Sequence, residues 1–269
     1  MSFPYDRLKD GMRWMWSLGD YTSLAERLEP HSQALADACG LEPGTTVLDV
    51  AAGNGNLAIA AARRGAIVAA TDLTPSMVDL GRARTAGIGA IEWSEADAEQ
   101  LPFAEGRYDV VASVFGAQFA PRPELVAAEM FRVSKPGGLV AMANYSPGGF
   151  LGGLADLMAS FSARPAFELP SPFAWGDEDQ VRRRFAGLAS SIEVQHRTLY
   201  FESESVARFI QFWERTNPPL TALKTTLSPE LYQQALEKVS RLVRDMNESP
   251  QPAVKLSSPY VLVLARKPA

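Results

Sequence analysis

The chain has 269 residues, 46% of them hydrophobic and 21% charged, with a net charge of -5. That length holds one large domain or a core with a lid, and the composition is that of an ordinary globular protein. The acidic balance argues against nucleic acid, the absence of a long apolar run against a membrane span, and the lone Cys39 against a disulfide or a multi-thiolate metal site.

Met1 to Arg7 lacks the apolar core of a signal peptide, so the cytoplasm is the expected location. Residues Tyr5 to Leu28 read as helical with a break near Gly19-Asp20, and they carry Trp14, Trp16 and Tyr21. So large an aromatic content before the first strand serves either core packing or a lid over a ligand; both readings stay open. Val47 to Val50 reads as a buried strand, Ala51 to Asn56 as a tight turn, and Leu57 to Arg64 as a helix. A second strand runs from Ala66 to Thr71 and ends at Asp72. Pro75 opens a helix capped by Thr74, and Ile88 to Trp93 makes a third strand. Tyr108 to Ser113 is a fourth, buried on both faces. Glu124 to Val133 is a helix stopped by Lys135-Pro136-Gly137-Gly138, and Leu139 to Asn144 is a fifth strand.

After Tyr145 the alternation gives way to an aromatic segment punctuated by Pro165, Pro170 and Pro172. Arg182-Arg183-Arg184, the one obvious basic run, reads as a solvated helix face. Ile192 to Phe201 returns to strand character, Val206 to Trp213 and Tyr232 to Met246 are helical, and Pro259 to Ala265 is a closing strand. The pattern predicts an α/β fold, doubly wound on a mostly parallel seven-stranded sheet. Its expected parts are a helical lid over 1–42, a cofactor-binding core over 43–145, and cap insertions with the last strands over 146–269.

Gly53 and Gly55 let the backbone of the first turn approach a ligand closely. No lysine follows Gly55, which excludes a P-loop. Gly53-x-Gly55-x-x-Ala58 does satisfy a dinucleotide fingerprint, with Asp72 where a ribose-binding acid would lie. Two features tip the balance away from it. Asp49 would repel a pyrophosphate but suits a ligand with a positive group, and Glu95 to Phe103 forms an acidic segment ahead of the fourth strand.

Taken together, Val47-Leu48-Asp49-Val50-Ala51-Ala52-Gly53-Asn54-Gly55, Asp72, Asp97-Ala98, Leu101 to Val111 and Arg132 to Gly138 resemble the class I S-adenosylmethionine-dependent methyltransferases. The likeness is to their small-molecule group, methyltransferase domain type 11, which includes the ubiquinone-type C-methyltransferases. It covers about Pro43 to Asn144. Ala51 departs from the more usual glycine. The resemblance implies S-adenosylmethionine as cofactor and S-adenosylhomocysteine as product. It places Asp49, Ala51, Gly53, Gly55, Asp72, Leu73, Met77, Asp97, Ala98 and Ser113 around them, with Asp72 on the ribose hydroxyls and Asp97-Ala98 at the adenine. The helix start after Gly55 suits the cofactor's carboxylate and Asp49 its cations.

Methyl transfer asks mainly for alignment and exclusion of water. Phe115, Gln118, Phe119, Asn144 and Tyr145, together with Ser113, follow the fourth and fifth strands and are the candidates to line the acceptor site. Trp14, Trp16, Tyr21, Phe150 and Trp213 are the aromatic candidates to close it, each with core packing as its other reading. An aromatic lid implies an apolar or aromatic small-molecule acceptor. The resemblance, together with the lack of an evident base (neither His31 nor His196 reads as one), favours carbon slightly over nitrogen or oxygen. No metal is expected, and a homodimer stays open. Asn217-Pro218-Pro219-Leu220 resembles an amino-methylation motif but lies far from the fourth strand, where that motif belongs, and reads as a helix stop. The rival readings are an NAD(P)-dependent oxidoreductase and a non-catalytic nucleoside-binding protein of the same fold.

Overall fold

The computed structural model describes residues 3–89, 91–162 and 167–269; Met1, Ser2, Ala90 in the expected third strand, and Pro165 lie outside them. Two helices come first, α1 (Phe3–Trp16) and α2 (Tyr21–Ala38). They part where Gly19 takes φ +73, and the Asp20 side chain restarts the helix by accepting from the Ser23 amide at 3.2 Å. Strand and helix then alternate through β1 (Thr46–Val50), α3 (Asn56–Ala62), β2 (Ile67–Asp72), α4 (Pro75–Thr85), β3 (Ile91–Glu95), β4 (Tyr108–Val114), α5 (Pro123–Val133) and β5 (Ser134–Tyr145).

The third strand starts later than expected, because Gly87 and Gly89 both adopt positive φ and keep that stretch in a loop. Lys135 to Gly138 lies within the range of β5 instead of before it. Beyond Tyr145 come α6 (Gly149–Ala159), α7 (Glu178–Phe185), β6 (Ser191–Ser203), α8 (Val206–Thr216), α9 (Pro218–Thr226), α10 (Pro229–Asp245) and β7 (Val254–Arg266).

The seven strands form one sheet in the order β3-β2-β1-β4-β5-β7-β6. β1 to β5 run parallel, while β7 is antiparallel to both β5 and β6. Alternation along β1 explains the two layers: Val47 joins Ala58 and Leu35 on one face, while Leu48 and Val50 join Val126 and Met130 on the other. Helices α6, α8, α9 and α10 add to the first of these cores, so the late insertions share it with α2 and α3. In the expected solvated run, Arg184 is instead largely buried, with its guanidinium 4.6 Å from the Trp175 ring centre. None of the helices among the described residues is long and apolar enough to cross a membrane.

Strand order reverses between β1 and β4, and at such a switch point the loops leaving the two strands diverge and open a crevice. The first turn and residues 115–121 flank it.

Candidate active site

Among the described residues two non-glycine residues hold positive φ, and they face one another across this crevice. Ala51 follows β1 at φ 54 and Phe115 follows β4 at φ 56. A side chain in that region costs roughly 1–2 kcal/mol, and such strain persists only where the surroundings enforce it. Here they do. A Cβ on Gly116 would fall 2.2 Å from the Ala51 carbonyl oxygen, so the two loops touch backbone to backbone. Ala51 therefore occupies a glycine conformation, which is why glycine is the usual residue there.

The acids on the strand ends are held by amides. Asp72 accepts from the Gly53 and Thr74 N–H groups at 2.9 Å each, which ties the end of β2 to the first turn. Asp49 is 1% exposed and accepts from the Ala58 N–H at 2.9 Å. Burial pushes the Asp49 carboxyl up to about 8, with the Ala58 amide opposing and the charge of Asp72 adding to the rise. Burial also raises Asp72. Neither acid has a cationic partner within ion-pair distance among the described residues. Two amide-bound acids without a counter-cation, Asp49 buried and Asp72 half-buried, fit a ligand that brings positive charge and hydroxyl donors.

Two cavities open from the crevice, each enclosing about 680 Å³ of non-atom space with its mouth included. The first is lined by Ala51, Gly53, Asp72, Leu73, Met77, Asp97 and Ala98, together with Lys9 and Met12 from α1. The second is apolar, and no charged side chain among the described residues lines it. Trp16, Tyr21, Phe115 and Phe119 line both and so form the partition. Trp16 meets Phe119 and Tyr21 edge-on, at centroid distances of 5.2 and 6.2 Å. Phe115 stacks on Tyr145 at 4.0 Å and an interplanar angle of 6°.

Other residues singled out in the sequence lie elsewhere. Gly55 faces Trp93, whose ring would meet an added Cβ at 2.8 Å. Asp49 lines a third, smaller and more polar cavity with Ser32 and Asn54. The Ser113 hydroxyl accepts from the Ala117 amide at 3.0 Å, and Gln118 Oε1 accepts from the Tyr145 amide at 2.8 Å. Both hold the 115–121 loop in shape without lining either large cavity. Asn144 is buried beside them on β5. Trp213 lines the apolar cavity, whereas Phe150 is fully enclosed among Phe201, Phe209 and Trp213. Trp14 is 42% exposed on the outer side of α1. His31 lies 3.1 Å from the Tyr260 hydroxyl, outside the lining of either cavity, and burial lowers its pKa. His196 is exposed beside Glu178.

Residues not singled out complete the walls. Leu151, Leu154, Ala155 and Met158 present one stripe of α6 to the apolar cavity, at a helical spacing visible in the sequence but identical to that of any core helix. Lys9 carried no sequence signal. Asn217 both ends α8 and caps α9, accepting from the Leu220 amide at 3.0 Å, and it lines the apolar cavity with Pro219. The segment read as a helix stop is therefore also a helix start.

The family model described as methyltransferase domain matches residues 48–142. A demethylmenaquinone methyltransferase of Renibacterium salmoninarum is 33% identical over 179 residues, covering 61% of this chain and 74% of that protein. An uncharacterised protein of Mycobacterium tuberculosis is 41% identical over 189 residues, 70% of this chain and 69% of its own. Among solved structures, the Haemonchus contortus phosphoethanolamine N-methyltransferase 2 with S-adenosyl-L-methionine aligns with TM-score 0.57 at 17% identity, covering 89% of this chain and 53% of that one. At that identity the likeness is one of fold.

Proposed function

We propose that this chain, which belongs to the class I S-adenosylmethionine-dependent methyltransferases of the small-molecule group, methylates a flat, uncharged, apolar acceptor held in the aromatic cavity. One observation carries this reading: a cavity bearing acids and an apolar cavity share a single aromatic partition, so a methyl donor in one lies next to an acceptor in the other. The relative named as a demethylmenaquinone methyltransferase supports the choice of an uncharged small-molecule acceptor.

In this reading Asp72 holds the ribose hydroxyls, Asp97 and the Ala98 amide hold the adenine, and Asp49, in the smaller cavity that shares Tyr21 and Phe115 with the first, takes the cofactor's ammonium. When bound, the cofactor supplies a methyl carbon made electrophilic by a positive sulfur. The chain itself orients and dries the site. The aromatic faces of Trp16, Tyr21 and Phe115 exclude water from the partition and favour positive charge beside them.

Among the described residues no side chain is placed to take a proton from the acceptor. Burial pushes the Tyr21 and Tyr145 phenols upward, so they stay protonated near neutral pH, and His31 is engaged with Tyr260. An acceptor that is already nucleophilic, such as an electron-rich ring carbon, suits such a site better than an alcohol or a charged amine.

Calorimetry should show S-adenosylhomocysteine binding and no NADH binding. Label from the cofactor's methyl group should then pass to hydroquinone-like or phenolic rings in preference to charged amines. Binding of NADH alone would remove the proposal.

A further inference from the structure

We infer that Lys9 is a positioning residue of the cofactor site, a role that rests on the reading above. It fixes the Asp97 carboxylate for the adenine amino group and makes adenine recognition depend on α1 lying across the cavity. Lys9 is 5% exposed, lines the first cavity and donates to the carboxylates of both Asp97 and Glu99. A buried ammonium is costly unless it is paired, and here it bridges two acids from a segment of the fold 88 residues away in the chain.

The rest of the cluster decides which acid needs it. Glu99 also accepts from the Arg122 backbone N–H and from Arg122 Nε, at 2.7 Å each. Asp97 has the Glu99 amide at 2.9 Å on one oxygen, and Lys9 on the other as its one cationic partner within ion-pair distance among the described residues. Removing the ammonium therefore leaves Glu99 paired and frees the Asp97 carboxylate to turn. One helical turn beyond Lys9, Arg13 Nε donates to the Leu73 carbonyl at 3.3 Å, so α1 is tied to two loops of the same cavity. Trp16 follows on the same helix and lines both cavities. The helix that walls the acceptor side thus also carries the cation that orients the adenine acid.

The test compares S-adenosylhomocysteine with S-inosylhomocysteine, in which a carbonyl oxygen replaces the amino group of the base. Lys9→Met should weaken S-adenosylhomocysteine roughly tenfold and the inosine analogue less than about twofold, and it should raise the cofactor KM more than it lowers kcat. In an Asp97→Asn background the same substitution should add nothing further. Equal weakening of the two ligands, or full additivity with Asp97→Asn, would overturn the inference and leave Lys9 a structural cation. If Lys9→Met does not fold, Lys9→Gln poses the same comparison. A wild-type protein that binds neither ligand would instead remove the functional reading itself.

Discussion

Cofactor binding should release a proton from Asp49. Its carboxyl is 1% exposed and has a half-buried acid, Asp72, as its neighbour; burial and that charge push it up to about 8 against the pull of one amide hydrogen bond. Below that pH the carboxyl is mostly protonated and above it mostly charged. An ammonium arriving at Asp49 favours the charged form, so a proton should leave on binding at pH 7 and clearly less of one at pH 9. Titration calorimetry of S-adenosylhomocysteine in phosphate and in Tris measures this directly, since the difference in apparent enthalpy scales with the protons passed to buffer. Asp49→Asn should abolish the release. An enthalpy independent of buffer at pH 7, or a release that survives Asp49→Asn, would refute the placement of Asp49 beside the cofactor's cation.

The same acid sets a pH dependence of stability. The folded chain holds its Asp49 proton up to about 8, whereas the unfolded chain loses it near 4. Stability should therefore fall as pH rises across that window, and less steeply with ligand bound, as thermal melts from pH 5 to 9 would show. Asp72→Ala removes the acceptor for the Gly53 and Thr74 amides and for the ribose; the S-adenosylhomocysteine Kd should rise about 100-fold or more, and an unchanged Kd would place the ribose elsewhere. Gly116→Ala forces a Cβ to 2.2 Å from the Ala51 carbonyl oxygen. It should cost about 1–3 kcal/mol in denaturant unfolding and weaken cofactor binding. Met158→Glu puts a carboxylate in the apolar cavity; acceptor turnover should drop at least about tenfold while S-adenosylhomocysteine affinity is kept. Loss of both would show that the two cavities are not separate sites.

The doubly wound core was legible because its signals are local. Val47 to Val50, Ile67 to Thr71 and Tyr108 to Val114 are apolar runs of strand length, and each is followed by turn chemistry. Asp72 could be placed from its position at a strand tip, and Asp97-Ala98 from resemblance. Boundaries slipped where a glycine's dihedral decided them, as at Gly87 and Gly89. The aromatic residues were the least legible. Trp14 and Trp16 are two positions apart on one helix, which turns about 200° between them; Trp14 faces outward and Trp16 lines both cavities. Phe150 and Trp213 pack edge-on against each other, yet only Trp213 reaches a cavity wall.

By itself, then, the sequence determined the parallel core, the first turn and the acids on the strand ends, because periodicity and a strand's end depend on near neighbours in the chain. The tertiary structure alone decided that α1 brings Lys9 onto Asp97, that Trp16, Tyr21, Phe115 and Phe119 form one partition, and that α6, α8 and α9 enclose an uncharged cavity. Those contacts join residues dozens to hundreds of positions apart. An apolar side chain bears the same local pattern whether it fills a core or walls a cavity.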